Sequence, residues 1–110
     1  MKIDLLNEKP FFIAELYEVL RDVIDPELGI NVVDLGLIYN IEAGEDSKEI
    51  NVTMTLSTPG CPMGQFITNS IWEKIKSIHA DWQVDVNVVW EPEWSVDKIS
   101  EHGRHQLGLE

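Results

Sequence analysis

The sequence predicts a small α+β fold, an α/β sandwich in which a three-stranded sheet carries helices packed on one face. Three observations predict it. Ile50, Val52, Met54 and Leu56 alternate with Asn51, Thr53 and Thr55, the period of a half-buried strand. Met63, Ile67, Ile71, Ile75 and Ile78 recur at helical spacing directly downstream. The order helix, hairpin, helix, strand, short helix then leaves one layer of helices to cover one layer of sheet. At 110 residues the chain reads as one domain, 1–110, able to bury roughly two thirds of its unfolded surface.

The first helix is expected from Asn7 to Ile24. Phe12, Leu16, Val19, Leu20 and Val23 fall on one face, with Glu15, Glu18 and Asp22 opposite. Pro10 belongs in its first turn, and Pro26 stops it, because the residue before a proline is pushed out of the α region. Val32 to Glu42 is strand-like, with Gly36 marking a bulge near its start. Gly44-Glu45-Asp46-Ser47 closes an antiparallel hairpin onto a strand from Ile50 to Ser57. The second helix is expected from Pro62 to Ala80, with Pro62 at its first position. A third strand follows from Gln83 to Trp90, showing Val84, Val86, Val88 and Trp90 to one face. A short helix within Ser95 to Leu107 ends the chain, with Trp90 and Trp94 anchoring the tail to the core.

Composition removes several function classes. A formal charge of −12 with only eight Lys and Arg opposes binding to nucleic acid and to anionic membranes. The apolar run Phe11-Phe12-Ile13-Ala14 is interrupted by Glu15 and Glu18, so neither a signal peptide nor a membrane span is expected. One cysteine makes no internal disulfide, which points to a reducing compartment and a cytoplasmic protein.

Two loops carry the chemistry. Cys61 stands in Ser57-Thr58-Pro59-Gly60-Cys61-Pro62-Met63, between a strand and a helix. With Pro62 as the first helical residue, Cys61 is the N-cap and its sulfur lies beside free backbone N–H groups. Lowering a thiol pKa from about 8.5 to about 7 takes roughly 2 kcal/mol, and a helix terminus supplies about 0.3–2 kcal/mol. A lone cysteine is also a small buried hydrophobe, but flanking Gly60 and Pro62 suit a shaped loop better than a core. The other loop is Asp25-Pro26-Glu27-Leu28-Gly29-Ile30, which doubles as an ordinary helix exit. Asp34, among Val32, Val33, Leu35 and Leu37, must sit at an edge or be hydrogen-bonded, and a structural and a functional role are equally open.

If Asp25 or Glu27 approaches Cys61, the carboxylate raises the thiol pKa and opposes nucleophilic catalysis. A bound metal overrides that effect and deprotonates the thiol, so the pairing favours metal handling. A cysteine enzyme also needs a base, and His79, His102 and His105 all fall late in the chain. His102 and His105, beside Glu101, share a helical face but are too few for zinc.

These segments together resemble the SufT/PaaD-like family of iron–sulfur cluster assembly proteins, related to the eukaryotic cytosolic iron–sulfur targeting subunit. The resemblance rests on Val23–Ile30, on Val33-Asp34-Leu35-Gly36-Leu37-Ile38-Tyr39, on Val52–Met63 and on the tail Trp90-Glu91-Pro92-Glu93-Trp94-Ser95. It implies that the acidic turn and the cysteine loop lie together. Asp25, Glu27 and Leu28 then match the family's acidic loop, and Ser57, Thr58 and Cys61 its hydroxyl-and-thiol loop. Ser57 stands where threonine is commoner and keeps the hydroxyl. Asp34 matches a family position too. No cysteine-bearing C-terminal segment and no G-x-x-x-x-G-K-[ST] run is present, so the stand-alone SufT type is expected.

The resemblance implies an accessory factor that delivers or targets clusters to client proteins through a loop site containing Cys61, without catalysing a bond change. Its cofactor would be a transient iron–sulfur cluster, and its partners assembly or carrier proteins and apo clients. A cluster takes four thiolates and one chain offers one, so a homodimer, favoured by unpaired strand edges, would offer two. The competing readings are a metal-free adaptor that docks client and assembly proteins, and, least favoured, a thiol enzyme using Cys61.

Overall fold

The computed structural model describes residues 10–58, 60 and 63–108. The chain runs α1 (Pro10–Leu20), β1 (Ile38–Gly44), β2 (Glu49–Met54), α2 (Gly64–Ile78), β3 (Gln83–Val88), a 3-10 turn (Val96–Lys98) and α3 (Glu101–Leu107). The sheet order is β1-β2-β3, with β1 antiparallel to β2 and β2 parallel to β3. That is the expected three-stranded α+β architecture, with α2 as the crossover between the parallel strands.

Alternation determines which face is buried. Ile41 and Ala43 of β1 register against Val52 and Ile50 of β2, and Val84 registers against Ile50 from β3. All five side chains are buried, and they meet Leu16 and Leu20 of α1 and Ile67, Ile71 and Ile75 of α2. Burying each of these aliphatic side chains is worth about 1.5–3 kcal/mol, so the stripe of α2 alone is a large part of the driving force. Phe12 stacks on Trp82 with ring centroids 5.1 Å apart and meets His79 edge-on at 4.9 Å, tying the start of α1 to the end of α2.

Element boundaries depart from the expected ones where local hydrogen bonds outcompete periodicity. Helix α1 ends at Leu20, not Ile24: the N–H groups of Arg21, Asp22 and Val23 bond to the third carbonyl back, tightening the chain before Ile24 bridges Asn31. Of its expected start, Asn7 to Lys9 lie outside the described residues. Strand β1 begins at Ile38, not Val32. Asn31 Oδ1 accepts from the Asp34 N–H (2.8 Å), and Leu35, Gly36 and Leu37 donate back to Asn31, Val33 and Val32, so 31–37 is a compact turn. The bulge falls between Ile38 and Asn40, while Gly36 (φ +78°) belongs to the turn. Strand β2 ends at Met54, although the Thr55 N–H still bonds to the Leu37 carbonyl (2.9 Å).

Side-chain expectations shift in three places. Ile78 is half exposed because α2 ends there, beyond the sheet. Val86 and Val88 are only half-buried, as edge positions are. Trp90 is exposed, whereas Trp94 does anchor the tail, its indole N–H donating to the Leu35 carbonyl at 2.7 Å. The tail helix divides into the 3-10 turn and α3, whose N-cap Ser100 accepts from the Gly103 N–H.

Candidate functional site

The acidic turn is built around Asp25. Its carboxylate Oδ1 accepts from the N–H groups of Glu27 (2.8 Å) and Leu28 (3.3 Å), its own N–H donates to the Ile30 carbonyl, and its carbonyl accepts from Gly29. Gly29 reverses the chain at φ +74°, a conformation that costs a residue with a Cβ about 1–2 kcal/mol. Asp25 is consequently buried within the turn it shapes, while Glu27 and Leu28 face outward. The sequence did not separate these roles: Asp25 holds the loop and Glu27 presents the carboxylate at its surface.

Asp34 lies at the root of the same turn and is only 2% exposed. Its Oδ2 accepts from Arg21 Nη1 (2.9 Å) and Asn31 Nδ2 (2.7 Å), its Oδ1 accepts from the Ser100 hydroxyl (2.7 Å), and its carbonyl accepts from the Ser100 N–H (2.7 Å). Burial alone would push this carboxyl up. The donors Asn31, Ser100 and Arg21, with the Arg21 charge, outweigh it and hold Asp34 below the usual carboxylate range. The tail reaches so close that a Cβ on Gly103 would stand 3.1 Å from the Asp34 carbonyl oxygen. Asp34 therefore joins α1, the acidic turn and α3. Of its partners, Asn31 had a local signal, an Asn three residues ahead of the bonded N–H. Arg21 and Ser100 had none, being separated from Asp34 by 13 and 66 residues.

The second loop leaves β2 through Thr55 and Leu56, both buried, then Ser57, half-buried, and Thr58, exposed. Cys61, with Pro59 and Pro62, lies outside the described residues. The far end of the loop is fixed by Gly64, where an added Cβ would stand 2.7 Å from Leu56 Cδ1. The two ends of the loop thus touch. Helix α2 starts at Gly64 with Met63 as its cap residue, so Cys61 stands two positions upstream of the cap and not at it.

Backbone hydrogen bonds link the roots of the two loops in a relay. Val32 donates to the Val23 carbonyl, Leu37 donates to the Val32 carbonyl, and Thr55 donates to the Leu37 carbonyl, at 2.9–3.1 Å. The tail flanks this relay: the Tyr39 hydroxyl donates to the Pro92 carbonyl (2.6 Å), and the Lys98 ammonium stands 5.4 Å over the Tyr39 ring. Burial pushes the Tyr39 phenol up, so it remains a donor at neutral pH. The Thr55 side chain is buried beside the Tyr39 phenol. Among the described residues no three His, Cys, Asp or Glu side chains gather as a metal site, and His102 and Glu101 are exposed on α3. No helix among the described residues is long and apolar enough to cross a membrane.

A family model described as iron–sulfur cluster assembly protein matches residues 13–88, which contain both loops and the entire sheet. The chain belongs to that family. Within it, the chain is 42% identical over 95 residues to a protein of Porphyromonas gingivalis named Fe-S protein maturation auxiliary factor, covering 86% of this chain and 90% of the other. It is 40% identical to the Staphylococcus aureus Fe-S protein maturation auxiliary factor SufT, covering 79% and 98%. A solved Bacillus anthracis structure, described as a domain of unknown function DUF59, superposes with a TM-score of 0.87 at 34% identity over 97% of this chain. The iron–sulfur assembly match ends at Val88, before the tail that holds Asp34 and Tyr39 in place.

Proposed function

We propose that this protein is an accessory factor in iron–sulfur protein maturation, handing a cluster to apo client proteins from a site that includes Cys61. The observation that carries the reading is likeness along nearly whole chains to proteins named for that task, at 42% and 40% identity. The linked roots of the acidic turn and the cysteine loop support it, because they bring the two loops out of one end of the sheet.

In this reading the cluster is cargo. One thiolate per chain is three short of the usual set, so Cys61 supplies one ligand, a second chain adds one more, and small thiols or the client complete the set. An incomplete ligand set releases its cluster readily, which suits transfer. Glu27 and Thr58, both exposed, flank the cargo, and Ser57 lines the loop; Leu28 is an apolar contact for the client. Asp25 and Asp34 keep the loops in shape. The single cysteine is consistent with work in a reducing cytoplasm.

The test is maturation in cells. In a strain lacking this protein, the activity per molecule of a cluster-dependent dehydratase should recover with the wild-type chain and not with Cys61→Ser. Full recovery by Cys61→Ser would favour the metal-free adaptor, in which the same loops dock clients and hold no cluster.

A further inference from the structure

A groove of about 480 Å³ runs between the turn after α1 and the outer face of α2. Its apolar lining is Val23, Ile24 and Phe66, the last two 46% and 53% exposed, large apolar surfaces left in water. Its charged lining is Asp22, Glu73 and Lys74. Lys74 is held by Asp22 at 3.1 Å, and Glu73 has no ion-pair partner among the described residues, so the net sign of the groove is negative. Both walls lead into the motif loops: Ile24 immediately precedes Asp25, and α2 starts three residues after Cys61.

We infer that this groove docks a segment of the client protein in which an apolar side chain is flanked by Lys or Arg. The apolar anchor fills the space between Ile24 and Phe66, and the basic neighbour meets Glu73. Charge selects this occupant over a second copy of the chain, since each copy carries −12 and brings the same negative groove. Position selects a client over other basic proteins: a chain held between these walls lies beside the acidic turn and the cysteine loop. The inference rests on the maturation reading for the identity of the partner.

The test uses the full chain, labelled with nitrogen-15, titrated with a 14-residue helical peptide of Leu and Lys, and with versions carrying Gln or Glu in place of Lys. Amide shifts should concentrate at Ile24, Phe66 and Glu73. The Lys peptide should bind at least tenfold more tightly than the Gln peptide, and the Glu peptide should not bind. Phe66→Ser, a change at an exposed site, should weaken the Lys peptide about tenfold while thermal unfolding stays unchanged. Shifts spread over the whole acidic surface, or equal binding by Phe66→Ser, would reduce the effect to bulk charge and overturn the inference. So would a dimer in the free protein that Phe66→Ser dissolves, which would assign the groove to a second copy. Cys61→Ser should bind the peptide as wild type does. Normal client maturation by Cys61→Ser would defeat cluster handover through Cys61 and favour the metal-free adaptor, whereas wild-type peptide binding by Phe66→Ser defeats only the groove.

Discussion

Asp34 takes three side-chain hydrogen bonds, one of them also its ion pair with Arg21, in a site nearly closed to water. Removing it leaves Asn31 and Ser100 with unmet donors and Arg21 without its buried counter-charge. Asp34→Ala should therefore cost about 3 kcal/mol, read as a fall in the urea midpoint. Because the folded carboxyl is held below its unfolded value, its contribution is fully present above about pH 4, the ordinary Asp value. It is lost as pH falls through the lowered folded value. Below about pH 4, wild type should lose stability more steeply than Asp34→Asn, whose side chain does not titrate; parallel curves would remove Asp34 as an acid-sensitive group. Gly36 is the second fixed point. It sits at φ +78°, and a Cβ there would run into the Lys98 carbonyl, so Gly36→Ala should cost about 3 kcal/mol and loosen the tail.

At the level of elements, the regular parts were readable and the turns were not. The Ile67, Ile71, Ile75 stripe and the Ile50, Val52, Met54 alternation each encode their burial locally, and both are buried as expected. Residues 32–37 read as the start of a strand because Val32, Val33, Leu35 and Leu37 are apolar, yet Asn31 Oδ1 diverts the backbone into turns. Propensity lost there to a side-chain acceptor placed three residues ahead. The start of α2 was misplaced because Pro62 suits a first helical position, while the helix starts after Met63. The pinch between Leu56 and Gly64 has no sequence signal, since it depends on the packing of α2 against the end of β2. Gly64→Val should spread the loop ends and lower client maturation more than Gly60→Ala, because a Cβ on Gly60 meets nothing within 4 Å.

For the molecule as a whole, one sheet end gathers the roots of the acidic turn and of the cysteine loop with the tail, and the chain carries a net charge of −12. The roots of the loops were legible only through family likeness, because no local pattern encodes a relay from Val23 through Val32 and Leu37 to Thr55. Net charge has its own consequence. Two such chains repel at low salt, so the cluster-free protein should sediment as a monomer, and loading with iron and sulfide should convert it to a dimer that shares one cluster between two Cys61 thiolates. The central claim is that Cys61 is a ligand of that shared, transient cluster. Anaerobic reconstitution of wild type and Cys61→Ser, followed by visible absorbance and by iron per chain, tests it most directly. Cluster absorbance in wild type and its loss in Cys61→Ser is the predicted result; equal occupancy in both would contradict it.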